Sequence, residues 1–118
     1  MKYDGAYYER KAEEFLRLKG YRGCAKNFRT RLGEIDLIVR DGDTTSFVEV
    51  KARNAHAGYL PQEAVTKDKR ARIVRAARGY MQRYGVRSYR FDVVAIIEGE
   101  LWRSYSLFKN AFTLNEIL

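Results

Sequence analysis

The sequence predicts an α/β fold in which a mixed five-stranded sheet is flanked by helices, with the element order αβββαββ. Three observations lead to this prediction: a short apolar stripe of helical period near the start, a longer one in the middle, and strand-like runs on both sides of the longer one. Strands joined by a crossover helix imply a sheet of mixed direction with a helix on each face. The 118 residues are expected to form a single domain, 1–118.

The first helix is expected over residues 4–19, with Gly20 as its stop signal. Glu9 borders the apolar stripe of this helix and can reach toward the sheet, whereas Glu14 points to solvent. The stripe consists of Tyr8, Ala12, Phe15 and Leu16.

The second helix is expected to begin after an N-cap at Thr66 and to end at Gly85. Its apolar stripe comprises Ile73, Val74, Ala77, Tyr80, Met81 and Tyr84. Residues 67–90 carry nine basic side chains against a single acid, Asp68. The side chains projecting away from the stripe are Lys67, Arg72, Arg75, Arg78 and Arg83. This face is either solvated or binds phosphate, and its single sign of charge favours phosphate binding.

The strands are expected at residues 21–27, 33–39, 47–51, 89–97 and 101–108, with the fourth at the centre of the sheet. Cys24 is interpreted as a small core or half-buried strand residue, because a lone cysteine forms no internal disulfide and no multi-cysteine zinc site. His56 lies in a loop and receives no role.

Acidic residues gather on the second and third strands. Alternation puts Glu34 and Asp36 on one face of the second strand, with Ile35, Leu37 and Val39 on the other. On the third strand, Glu49 and Lys51 share a face, roughly 6.5–7 Å apart, while Val48, Val50 and Ala52 form the apolar face.

The turn between these strands allows two registers. A loop of Asp41-Gly42 places Glu34 opposite Glu49, whereas a loop of Gly42-Asp43 places Asp36 opposite Glu49 and Glu34 opposite Lys51. In both registers Asp36 and Glu49 are opposite or diagonal neighbours, about 4.5–8 Å apart. A one-residue slip would bury the acids instead, so the apolar pattern selects a shared acidic face.

Clustered acids on a half-buried sheet need compensation. Lys51 can neutralise them as a structural ion pair, the acids can lie at a solvated edge, or a divalent metal ion can bind between them. The spacing alone leaves these three alternatives open.

The overall charge indicates a polyanionic partner. Lys and Arg outnumber Asp and Glu by 23 to 15, a net charge of +8, and the pI is near 9.7. Nucleic acid fits this charge better than an anionic membrane surface does. No apolar stretch approaches the roughly 20 residues of a membrane span, and the start lacks a signal-peptide pattern, so no membrane association and a cytoplasmic location are expected.

Several strings resemble the YraN family of bacterial endonuclease-like proteins. These strings are Glu9, 20–21, 27–29, the Gly-Glu-Ile-Asp-Leu-Ile of 33–38, the Phe-Val-Glu-Val-Lys-Ala-Arg of 47–53, 62–65 and 90–94. That family is similar in core to the archaeal Holliday-junction resolvases and to the PD-(D/E)XK superfamily. The resemblance covers nearly the whole chain and implies a restriction-endonuclease-like core. Ile35 stands where the superfamily name has proline, as it does in many relatives.

The resemblance implies a catalytic site with Mg²⁺ or Mn²⁺ as cofactor. Asp36 and Glu49, with the carbonyl of Val50, would hold the metal ion, and Glu9 would complete the acidic pocket. Lys51 would orient or deprotonate the attacking water. The implied auxiliary residues are Glu34, whose role is less defined, and Gln62, which would position water or DNA. The expected DNA contacts are Arg29, Arg31, Arg53, Lys67, Lys69, Arg72, Arg75 and Arg78.

Three functions remain open from the sequence. The first is a metal-dependent DNA endonuclease for branched or damaged DNA, expected as a homodimer because two strand cuts need two sites. The second is a nucleic-acid-binding or repair-associated module without catalysis. The third is an interaction protein whose acidic cluster is structural.

Overall fold

The computed structural model describes residues 2–56 and 65–113. Two helices and five strands follow the predicted order αβββαββ. Their bounds are α1 Gly5–Leu18, β1 Arg22–Arg29, β2 Glu34–Asp41, β3 Thr44–Asn54, α2 Lys67–Tyr84, β4 Tyr89–Glu98 and β5 Arg103–Phe112. No helix among the described residues is long and apolar enough to cross a membrane.

Helix α2 has its predicted caps, Thr66 and Gly85, and α1 begins after Asp4 and ends before Gly20, close to its predicted bounds. The Asp4 side chain accepts a hydrogen bond from the N–H of Tyr7 (2.9 Å), and the Thr66 side chain caps α2 in the same way. At the end of α1, Gly20 has a φ of 94°, and the N–H of Tyr21 returns to the carbonyl of Leu16 (3.1 Å). Such a left-handed C-terminal turn satisfies carbonyl groups that the helix itself leaves unpaired.

The five strands form one sheet in the order β1-β2-β3-β4-β5. Strands β3 and β4 are parallel, and the other neighbours are antiparallel, as a crossover through α2 requires. Strand β4 is interior and mostly buried, but the middle strand is β3, so the prediction that β4 is central was wrong by one position. Strand β5 continues to Phe112, beyond its predicted end at 108, after a register shift between Phe91 and Val93.

A buried polar network lies at this irregularity. Asp92 has no exposed surface, and its carboxylate accepts hydrogen bonds from Ser46 Oγ (2.5 Å), Arg90 Nε (2.7 Å) and the N–H of Asn110 (3.0 Å). The Arg90 guanidinium also reaches Asp41 (3.0 Å). Because every oxygen of Asp92 has a partner, its charge is compensated within the core.

Each sheet face carries one helix and one apolar cluster, as predicted. The cluster under α2 includes Ile73 and Val74 packed with Phe47. The cluster under α1 includes Tyr8 and Leu16, packed with strand residues. Val48, Val50 and Ala52 all belong to the α1 cluster, which confirms the apolar face predicted for β3.

The hairpin between β2 and β3 adopts one of the two registers left open by the sequence. Asp41 pairs with Thr44, and the pairing continues to Leu37 opposite Val48. The loop is therefore Gly42-Asp43, with Gly42 at a φ of 61° that glycine adopts without strain.

The alternation of side chains between the two sheet faces breaks at Asp36 in β2. The prediction that Ile35 shares a face with Leu37 and Val39 was therefore wrong. Leu37 and Val39 pack under α1, but Ile35 packs under α2 beside Ile38. Strict alternation would have placed Ile35, Leu37 and Val39 on one face. The change of face coincides with a hydrogen bond from the backbone of Val50 to the Asp36 side chain, which replaces regular pairing at this point.

Cys24 lies in β1, as predicted, but it is exposed, so its expected burial was wrong. The pairing of β1 with β2 shifts between Gly23 and Ala25, leaving Cys24 at a β-bulge. A bulge inserts a residue without a partner position, which sequence alternation does not reveal.

Candidate metal and nucleic-acid site

Asp36 is fixed by the backbone of the neighbouring strand. Its Oδ2 accepts a hydrogen bond from the N–H of Val50 at 2.9 Å. Continuing the register of Leu37 with Val48 would place Ile35, rather than Asp36, opposite Val50. The carboxylate thus takes over an acceptor position of the β2–β3 ladder, and this places it one residue from Glu49 on β3.

Glu49 is buried beside Asp36, with 4% of its surface exposed. Burial, a hydrogen bond with Asp36 and the charge of Asp36 together raise the pKa of Glu49 to about 9. Lys69 and Lys51 oppose this shift less strongly. At neutral pH Glu49 therefore keeps its proton, because burial and the neighbouring carboxylate disfavour its charged form.

Lys69 joins this acidic pair from the first turn of α2. Its Nζ lies 3.8 Å from Glu49 Oε2 and 3.7 Å from Glu34 Oε1, and its side chain is 25% exposed. Lys69 therefore lies among the acids, which the sequence did not predict, and its expected DNA contact stays a prediction. Charge pattern alone could not show this, because the position depends on how α2 packs on the sheet.

Glu9 approaches the pair from α1, on the other face of the sheet. Burial and the charge of Asp36 raise the pKa of Glu9, while a hydrogen bond with the Asn27 side chain opposes the shift. Asn27 has a φ of 48°. It lies in β1 between Lys26 and Phe28, which both pair with β2. Asparagine tolerates this left-handed backbone better than most residues, and such conformations recur at functional sites. Sequence reasoning gave Asn27 no role.

Lys51 follows Glu49 by two residues on β3 and is half-buried. It lines a cavity of about 220 Å³ together with Glu9 and Arg53. The remaining lining residues are Tyr3, Gly5, Tyr8, Val50 and Ala52. The structure thus brings an acid from α1 and two basic side chains from β3 to one opening beside the acidic pair.

The acidic pair has the donor chemistry of a magnesium or manganese site. Mg²⁺ is commonly held by one or two carboxylates, with waters and substrate phosphate completing its shell. A cation between Asp36 and Glu49 would replace the proton on Glu49. Within residues 2–56 and 65–113, no group of three or more His, Cys, Asp or Glu side chains is arranged to hold a metal. Glu9 thus stands beside the pair, and its role as a third ligand stays a prediction.

Six of the eight expected DNA contacts fall into two groups. Arg29, Arg31 and Arg72 line a cleft of about 140 Å³ between the β1–β2 turn and α2. Lys67, Arg75 and Arg78 are exposed along α2. Arg53 lies instead in the cavity beside Lys51. Gln62 lies outside the described residues.

Glu34 links the two charged regions. It is partly exposed, lies 3.4 Å from Arg29 and 3.7 Å from Lys69, and lines the cleft of the three arginines. Glu34 and Lys69 therefore connect the acidic pair to the basic cleft.

Comparison with known proteins places the chain in a family. The model of "Uncharacterised protein family UPF0102" matches residues 8–96. A UPF0102 protein of Desulfosudis oleivorans is 44% identical over 110 residues, covering 91% of this chain and 87% of the relative. One from Syntrophus aciditrophicus is 45% identical over 108 residues, covering 90% and 85%. One from Caldicellulosiruptor saccharolyticus is 41% identical over 109 residues, covering 88% and 92%. The chain therefore belongs to the UPF0102 family, the YraN-like family that its motifs resemble.

Proposed function

We propose that this UPF0102 protein is a metal-dependent endodeoxyribonuclease that hydrolyses phosphodiester bonds in branched or damaged DNA. In this proposal its core is restriction-endonuclease-like and related to the archaeal Holliday-junction resolvases. The observation that carries the proposal is the Asp36–Glu49 pair, in which the buried Glu49 is in hydrogen-bond contact with the half-buried Asp36. Burying such a pair costs free energy unless a cation or a proton compensates its charge. Lys69 and Glu34 connect the pair to the arginine-lined cleft.

Asp36, Glu49 and the carbonyl of Val50 are the groups that would hold Mg²⁺ or Mn²⁺. When bound, such a cation lowers the pKa of a coordinated water and stabilises the charge that develops on the phosphate.

The protein's own side chains supply position and charge around that centre. Lys51 Nζ would orient the attacking water and offset phosphate charge, since its charge already acts on Glu49. Lys69 would keep Glu49 and Glu34 in place through its two contacts. Glu9 would take part from the α1 side, and the arginine-lined cleft would hold the DNA backbone.

Location and assembly complete the proposal. We place the enzyme in the cytoplasm, where its DNA substrate is. It would act as a symmetric homodimer, because paired cuts need two copies of the site.

The experiment is cleavage of labelled single-stranded, duplex, flapped and four-way-junction DNA with Mg²⁺ or Mn²⁺. The test variants are Asp36→Asn and Lys51→Ala. The matched control is Glu14→Gln, which removes a carboxylate from the solvent side of α1, where the side chain is 60% exposed. We expect both test variants to lose cleavage and the control to retain it.

Binding supplies a second measurement on the same proteins. Asp36→Asn should keep or improve DNA affinity, since it removes an acid that repels phosphate. DNA binding by the wild type without metal-dependent cleavage would refute the nuclease and support the binding module instead, because the basic surface alone accounts for affinity.

A further inference from the structure

The turn between β1 and β2 is held by its own hydrogen bonds. The N–H of Thr30 donates to the carbonyl of Gly33 (2.8 Å), which leaves Arg31-Leu32 as the tip. The Thr30 hydroxyl oxygen also accepts from the N–H groups of Leu32 (3.1 Å) and Gly33 (3.2 Å). A side chain that bonds its own turn in this way fixes the tip without help from other elements.

The base of the turn is packed tightly on α2. Gly33 is buried, and a Cβ atom at this position would lie 1.9 Å from the carbonyl oxygen of Arg72. Only glycine permits this approach of two backbones. The tip is therefore presented from a rigid support.

The tip carries an apolar side chain among basic ones. Leu32 is 59% exposed, and its neighbour Arg31 lines the cleft with Arg29 and Arg72. A single exposed leucine is ordinary on a protein surface. Leu32 differs because it projects from a fixed turn at the edge of a site that would bind phosphate.

The cleft can receive a phosphate group despite the acid that lines it. Glu34 pairs with Arg29 at 3.4 Å, but the Arg29 side chain is 74% exposed, and such surface pairs are weak enough to exchange partners. Arg31 and Arg72 make no ion pair within the described part of the chain. Three guanidinium groups at one opening favour a phosphate backbone, which arginine binds with paired hydrogen bonds.

We propose that Leu32 is a wedge that enters branched DNA where the strands separate, while Arg29, Arg31 and Arg72 hold the adjacent phosphates. Apolar side chains inserted between base steps unstack them, and neighbouring basic residues offset the cost. That the ligand is DNA rests on the proposed function. In addition, Leu32 would recognise branched DNA in particular.

The spacing to the acidic pair sets the position of the cut. Leu32 lies at the tip of the turn and precedes Asp36 by four residues, which can span at most about 13 Å. One nucleotide of a strand rises about 3.4 Å, so we expect cleavage within about four nucleotides of the branch point.

The test uses forked DNA with 2-aminopurine at the branch, bound without metal by protein carrying Asp36→Asn to prevent cleavage. Into this background we would place Leu32→Ser, Leu32→Phe and the control Leu101→Ser. Leu101 is 96% exposed on the β4–β5 turn, which is closed by the same kind of backbone bond, from Gly99 to Trp102.

We expect binding to raise the 2-aminopurine fluorescence in the background protein. Leu32→Ser should lose most of this rise and reduce the preference for fork over duplex about fivefold, since one buried apolar contact is removed. Leu32→Phe should keep both, because it remains an apolar wedge, and Leu101→Ser should match the background protein.

Unchanged fluorescence and preference in Leu32→Ser would overturn the wedge, as would an equal loss in Leu101→Ser. Different results would refute the proposed wedge and the proposed nuclease activity. Metal-dependent cleavage with no effect of Leu32 removes the wedge alone, whereas a Leu32-dependent fluorescence rise without cleavage by the wild type removes the nuclease alone. Absence of DNA binding by the wild-type protein overturns both.

Discussion

Replacing Glu49 with glutamine should stabilise the protein in the absence of metal. The pKa of Glu49 is raised from 4.5 to about 9, so the unfolded chain releases this proton near pH 4.5 while the folded chain keeps it until about pH 9. Between these values the folded state binds more protons than the unfolded state, and the free energy of unfolding therefore falls as the pH rises.

The size of the effect follows from the interval below neutral pH. About 2.5 pH units separate pH 7 from the ordinary glutamate pKa of 4.5. At about 1.36 kcal/mol per unit, the free energy of unfolding of the wild type falls by about 3 kcal/mol over this interval. Glutamine never ionises, and its amide can still donate to Asp36. We expect the free energy of unfolding of Glu49→Gln to exceed that of the wild type by up to about 3 kcal/mol at pH 7, and by little at pH 4.

The assay is urea unfolding in EDTA from pH 4 to pH 8, with thermal melts beside it. For a domain of this length, each kcal/mol shifts the midpoint by roughly 3–5 °C, so the gain at pH 7 is readily measured. The control is Glu100→Gln, which removes an exposed carboxylate from the β4–β5 turn and should change stability little at any pH.

If Glu49→Gln has the stability of the wild type and the same dependence on pH, then Glu49 does not keep its proton in the folded protein at pH 7. The same melts with added Mg²⁺ bear on the nuclease proposal. The wild type should gain stability from the metal ion, while Glu49→Gln should gain less because one of its charged donors is gone.

Two further substitutions test the packing that positions the site. Gly33→Ala should destabilise the fold by about 1–3 kcal/mol because its Cβ meets the Arg72 backbone, whereas Gly79→Ala, in open space on α2, should stabilise it by about 0.5–1 kcal/mol. If Gly33→Ala lowered the free energy of unfolding by less than ordinary surface substitutions do, the close approach of the Gly33 and Arg72 backbones would be contradicted. Asp92→Asn should cost about 3 kcal/mol in urea unfolding, since it removes the charge that faces Arg90 in the core, and an unchanged midpoint would argue against that network.

Local signals in the sequence were sufficient for the helices and for most of the sheet. The signals at Gly20, Thr66 and Gly85 act within a few residues of their helix ends, so their effect is visible in the sequence. Alternation reduced the β2–β3 hairpin to two registers, because any slip by one residue would exchange the core and solvent faces. Choosing between Asp41-Gly42 and Gly42-Asp43 required the structure, since both are favourable turn sequences.

The parts that sequence reasoning missed depend on contacts distant along the chain. Ile35 changes face because Asp36 bonds to Val50, fourteen residues away in sequence. Lys69 points among the acids because of the way α2 packs on the sheet. The bulge at Cys24 depends on pairing with β2. No local periodicity reports such interactions, so the residue types of the site were predicted while its internal arrangement was not.

The hydrogen bond between the Asp36 side chain and the Val50 backbone makes the geometry of the acidic pair independent of the surrounding loops. The two acids are held by adjacent strands, and their separation is set by one peptide N–H and the chain between Val50 and Glu49. Loop residues have no part in that distance. The turns of this fold can therefore vary in length and composition while the pair of carboxylates keeps its geometry.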